Sequence, residues 1–88
     1  MGQNYPNPFN PVTAFDFALP EAGHTVIRVY DVRGALVNTL VSGHRDAGRY
    51  HVQWNGRDAG GNPAASGVYL IRMEAGDFRE SRKMLLVR

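Results

Sequence analysis

Three imidazoles, His24, His44 and His51, are the residues of this 88-residue chain best suited to acid–base or metal chemistry. Imidazole titrates near neutrality and ligates zinc, copper and nickel. A strand presents two such ligands together when they are two positions apart, and a helix when they are three or four apart. No pair of these histidines has either spacing. His24 begins one strand-like run, His44 falls in the turn "HRDAG", and His51 lies on the outward face of another run. All three therefore read as surface histidines.

A second set of candidates lies in "NGRDAGGN", where Asn55, Asp58 and Asn62 offer the oxygen ligands that calcium takes. The regular acidic spacing and closing glutamate of a helix–loop–helix calcium site are absent. Asp, Asn and Gly are also the usual turn residues, and turn chemistry is the stronger reading. No metal or cofactor is expected, with calcium at these three residues the weaker alternative. Ser42, Ser66 and Ser81 have no base placed to activate them. The glycine-rich "AGGNPAASG" lacks the lysine and following helix of a phosphate loop. Tyr50, Trp54 and Tyr69 share faces with Val52 and Ile71, which argues for burial rather than a sugar-stacking platform. Tyr30 alternates with Arg28 and is expected to be partly exposed. The chain reads as a non-enzyme.

Strands must position these residues. Thr13, Phe15, Phe17 and Leu19 alternate with Ala14, Asp16 and Ala18, the period of a half-buried strand. Pro20 ends the run because it has no N–H for a ladder. "HTVIRVYD" places Thr25, Ile27 and Val29 on one face and Val26, Arg28 and Tyr30 on the other. "DVRG" then supplies a turn, with aspartate bonding the backbone ahead of it and glycine taking positive φ. "ALVNTLVSG" returns as the next strand. In "RYHVQWN", Tyr50, Val52 and Trp54 share a face opposite His51 and Gln53. "VYLIRME" turns at "AGDF" into "FRESRKMLLVR", with Met84 and Leu86 facing inward and Leu85 and Val87 outward. About six strands follow, with no helical period. All connections but one are short enough for hairpins. The pattern predicts an all-β, Ig-like antiparallel sandwich of six or seven strands, one domain over residues 1–88. Prolines at 6, 8 and 11 suit an edge or an extended cover over the sandwich's end, with Tyr5 and Phe9 as apolar anchors.

Composition fits this reading. An apolar share of 43% is ordinary for a folded domain, and without cysteine no disulfide or thiolate metal site exists. A net charge of +2 is too small to imply a nucleic-acid partner. No apolar run is long enough to span a membrane, and "MGQNYP" has no secretion-signal pattern. Met1 and Gly2 read as an added start. Arg79, Arg82, Lys83 and Arg88 charge the last strand, with Arg82 and Lys83 expected to be exposed, and such charge also guards an edge against aggregation.

Several stretches together carry a resemblance. "NYPNPFNP", "VTAFDFALP", "VYDVRG", "AGRYHVQWNGRDAGGN", "ASGVYLIRMEAGDF" and "RKMLLVR" occur in the order found in the type A C-terminal sorting domain of type IX secretion cargo. They are also similar to the related Ig-like domain of the flagellar hook-cap protein. The resemblance implies a β-sandwich from the C-terminus of a larger exported protein, covalently linked to an N-terminal cargo. Its partners would be the outer-membrane secretion machinery, a translocon and a sortase-like component, and its destination the cell surface. The resemblance places partner recognition on Arg82, Lys83, Met84, Leu85, Leu86, Val87 and Arg88. It places a scaffold motif on Asn7, Pro8, Phe9, Asn10 and Pro11 and on Gly67, Val68 and Tyr69. Asn55 stands where that family often has aspartate, which weakens the calcium reading. The alternatives are a structural, adhesion or glycan-binding module of an extracellular enzyme, or a hook-cap-like Ig domain.

Overall fold

A computed structural model describes residue 2 and residues 12–87. The proline-rich opening, with Tyr5, Phe9 and the motif Asn7, Pro8, Phe9, Asn10 and Pro11, lies outside the described residues, as does Arg88. Six strands follow in order: β1 (Thr13–Leu19), β2 (Gly23–Asp31), β3 (Leu36–Arg45), β4 (Gly48–Trp54), β5 (Gly67–Ala75) and β6 (Phe78–Leu86). They form two antiparallel sheets, β1–β4 and β3–β2–β5–β6, facing each other as an Ig-like sandwich. No helix among the described residues is long and apolar enough to cross a membrane.

The period-two pattern decides the core. Phe15, Phe17 and Leu19 of β1 and Val52 and Trp54 of β4 meet Ile27, Val29, Ile71, Met73, Met84 and Leu86 of the larger sheet. Trp54 and Tyr69 join the sheets edge to face, with ring centroids 5.2 Å apart. Phe17 stacks on Tyr50 within the smaller sheet at 5.1 Å. Such ring pairs contribute about 0.5–1.5 kcal/mol beyond the area they bury.

β3 departs from simple alternation. Its pairing with β2 shifts between Ile27 and Arg28 and again between Val29 and Tyr30. The shifts leave Leu40 and Val37 as extra residues on β3, and both pack against the core half-buried. A bulge of this kind re-aims a side chain without ending the strand.

Two of the short connections are not hairpins. Asp46 and Ala47 take the chain from β3 in the larger sheet to β4 in the smaller one, and Pro20, Glu21 and Ala22 do the same from β1 to β2. Gly43 and Gly48 flank the first crossing at φ of 140° and 151°, a region that side-chain-bearing residues rarely adopt. β3 also runs further than the sequence pattern predicts, so His44 is a strand residue and the turn is shorter.

The β2–β3 turn forms as its residues predict. Asp31 Oδ1 accepts from the N–H of Arg33 (2.9 Å) and of Ala35 (3.0 Å), and Gly34 takes φ of 84°. The Ala35 N–H bond, ahead of the Arg33 guanidinium and N–H, holds the Asp31 carboxyl below its ordinary value of 3.8.

Candidate functional site

β6 is a two-sided strand. It pairs with β5 in unbroken register, Gly67 opposite Leu86 through Ala75 opposite Phe78. Met84 and Leu86 are fully buried, so nothing can read their side chains while the domain is folded. Lys83, Leu85 and Val87 stand outward, with Leu85 and Val87 41% and 45% exposed. Arg82 differs from the expected exposed cation. It alternates with Lys83 onto the inner side of β6, is half-buried, and pairs with Glu80. Among the described residues, the recognition set named from sequence thus divides into two core residues, one internally paired arginine and three outward side chains, with Arg88 outside them.

The scaffold motif Gly67, Val68 and Tyr69 opens β5 beside the end of β6. Gly67 has φ of 153°, Val68 is exposed opposite Leu85, and Tyr69 is buried opposite Met84. The Tyr69 hydroxyl donates to the Ala65 carbonyl. This fixes the end of the long loop to the core.

Two of the loop's three candidate ligands, Asp58 and Asn55, bond the loop's own backbone through their side-chain oxygens. Asp58 Oδ1 accepts from the N–H groups of Gly60 (3.0 Å) and Asn62 (2.9 Å), and Asn55 Oδ1 accepts from Arg57 N–H (3.2 Å). Two anchors tie the loop down. Trp54 Nε1 and Asn38 Nδ2 both donate to the Arg57 carbonyl, at 2.9 and 3.0 Å, and Ala59 N–H donates to the Val37 carbonyl. Asp, Asn and Gly residues therefore act here as turn residues. No cluster of three or more His, Asp or Glu side chains suited to a metal occurs among the described residues.

Strand pairing brings together polar groups whose sequence distance hid them. His51 Nδ1 lies 2.7 Å from Asp16 Oδ1 across β1 and β4. His24 and His44 are directly opposed on β2 and β3, and His44 Nε2 is 3.4 Å from Asp46. All three histidines are exposed. Ser42 and Ser81 are exposed on separate strands and Ser66 is exposed just before β5. Only strand register could have revealed the histidine pairs.

Several solved structures share the fold. PorU of Porphyromonas gingivalis, in its dimeric latent form, superposes with a TM-score of 0.72 at 21% identity, over 96% of this chain and 9% of PorU. PorZ of the same organism, a surface component of the type-IX secretion system, superposes with 0.66 at 25% identity, over 97% of this chain and 11% of PorZ. FlgD of Xanthomonas campestris, studied for hook capping in flagellar assembly, gives 0.66 at 26% identity, over 90% of this chain and 58% of that one. The chain therefore spans only a small part of PorU and PorZ and somewhat over half of FlgD. No curated protein matches it. The model of the FlgD Ig-like domain matches residues 9–77, which take in β1 through β5 and end just before β6. With that match over most of its length and two antiparallel sheets closed on one aromatic core, the chain belongs to the FlgD Ig-like domain family.

Proposed function

We propose that this chain is a non-catalytic C-terminal sorting and attachment domain, directing a larger cargo through type IX secretion across the outer membrane to the cell surface. The observation that carries this reading is the likeness to PorZ. It covers a share of the chain too large to leave out the nine-residue β6, whereas the family match stops before that strand. The outward side of β6 suits recognition by a protein such as the secretion translocon or a sortase-like component. Lys83, Leu85 and Val87 can be touched there while Met84 and Leu86 stay in the core. Small coverage of PorU and PorZ is consistent with a module carried on larger proteins.

The test is export of a fluorescent reporter fused ahead of the domain, in a bacterium with type IX secretion. Wild type is compared with Lys83→Glu after equal melting temperatures are established. Export of the wild type and its loss in the variant supports recognition through β6. A wild-type fusion retained in the periplasm sinks the reading. A hook-cap-like Ig domain is the second reading, favoured by the family match and by FlgD of X. campestris. It predicts that this chain, grafted in place of a hook-cap protein's own Ig domain, restores flagellar assembly.

A further inference from the structure

The larger sheet has an outer face that the smaller sheet does not cover. Register sets Leu36, Tyr30, Leu70 and Lys83 side by side across its four strands. Val68 and Leu85 pair directly with each other beside Leu70 and Lys83. Leu36, Val68 and Leu85 are 55%, 40% and 41% exposed, with Tyr30 and Leu70 half-buried between them. Val32, in the β2–β3 turn, and Val87, just past β6, border the same end of the face. Singly exposed aliphatic residues are ordinary, but a contiguous group of them marks an interaction surface.

The adjoining row is charged in an unusual way. Arg28 and Arg72 face each other directly across β2 and β5. Directly opposed like charges on neighbouring strands destabilise a sheet. Arg72 Nε is held by Glu74 at 3.2 Å, whereas Arg28 has no ion pair among the described residues. Two arginines opposed in register, next to an apolar patch, offer one carboxylate charge-assisted N–H donors from both strands.

We propose that this face docks a protein segment that lays aliphatic side chains on Tyr30, Leu70 and Val68 and sets a carboxylate across Arg28 and Arg72. Charge complementarity selects the occupant. A second copy of this chain would bring the same cations to the interface, whereas an acidic, apolar segment neutralises them. The inference does not depend on the sorting reading, and its test involves no export.

The test is a nuclear magnetic resonance titration of the full chain with an alternating leucine–aspartate pentapeptide. Its leucine–asparagine counterpart is the control. Amide shifts are expected at residues 28–30 and 68–72. Arg28→Gln should weaken the Kd by about tenfold, the value of one charge-assisted hydrogen-bonded contact, and the asparagine peptide should bind at least as weakly. Shifts located elsewhere, equal binding of the two peptides, no shifts up to about millimolar peptide, or self-association of the chain through this face would each overturn the proposal. A second measurement needs no peptide. Arg28→Gln relieves the opposed pair and should raise the melting temperature by about 2–4 °C. An unchanged or lower melting temperature removes the receptor argument.

Discussion

Replacing Trp54 with phenylalanine tests the junction on which both sheets and the long loop depend. The indole is 1% exposed, meets Tyr69 edge to face at 5.2 Å, and donates to the Arg57 carbonyl at 2.9 Å. Phenylalanine keeps a ring but loses the donor and the second ring's volume. The Arg57 carbonyl retains Asn38 Nδ2 at 3.0 Å, so it is not orphaned, and the hydrogen-bond loss stays near about 1 kcal/mol. The vacated volume costs about 1–2 kcal/mol more, short of the full penalty of truncation to alanine. A chain of this size has roughly 4–13 kcal/mol in total at the usual stability per residue. The expected loss of about 2–3 kcal/mol is therefore a large share, and lowers the melting temperature by roughly 10–20 °C. Urea denaturation should show a lower midpoint with an unchanged slope. Hydrogen exchange should show faster exchange at the Ala59 and Ala64 amides, which bond to Val37 and Gly56 within the loop's anchorage. A loss below about 0.5 kcal/mol, or loop amides that keep their protection, refutes the account of Trp54 as the loop's tether.

Asp31→Ala removes the acceptor for the Arg33 and Ala35 amides. The Asp31 carboxyl is held below 3.8, so its contribution is present above that pH and lost as pH falls through the lower folded value. The gap in urea midpoint between wild type and variant should narrow as the pH falls below 3.8, and a constant gap sinks the assignment. Asp58→Ala should lower the melting temperature equally with and without a calcium chelator, because Asp58 Oδ1 already serves the Gly60 and Asn62 amides. A chelator-sensitive wild type would restore the calcium reading. Met84→Ala should cost about 2–5 kcal/mol and lower reporter export in proportion to the fraction unfolded, whereas Leu85→Ser should leave stability within about 0.5 kcal/mol. Circular dichroism melts of the two variants check the contrast, and comparable destabilisation would place Leu85 in the core instead.

The strands were legible wherever alternation was clean. Phe15 and Phe17, Tyr50 through Trp54, and Met84 with Leu86 each show period two between turn residues, and each buries as that period implies. β3 was not legible in this way, because Val37 and Leu40 enter the core through bulges that break the period. The Asp46–Ala47 connection reads as a hairpin by length alone, and nothing local tells a turn that pairs two strands from one that sends them to different sheets. Arg82 departs from its expected exposure for a related reason. Its charge argued for exposure, while its place on the inner side of β6 allowed it to pair with Glu80 at the margin of the core. The opposed Arg28 and Arg72, like the opposed His24 and His44, depend on register between distant strands, which no single segment encodes.

The two sides of β6 give the sorting reading a physical consequence. Lys83, Leu85 and Val87 share one side only while Met84 and Leu86 hold the strand extended against β5. In an unfolded chain those three side chains have no common face, so a partner that reads them reads the folded sandwich as well. Recognition on this strand would then reject cargo whose terminal domain has not folded. The consequence can be measured with a core variant far from β6. Phe15→Ala leaves every β6 residue unchanged but removes a 3% exposed side chain of the opposite sheet, at about 3–5 kcal/mol. Reporter export should fall in proportion to the unfolded fraction measured by urea titration. Export at the wild-type level from a largely unfolded Phe15→Ala fusion would show that a linear signal in residues 82–88 suffices, and that the sandwich has no part in recognition.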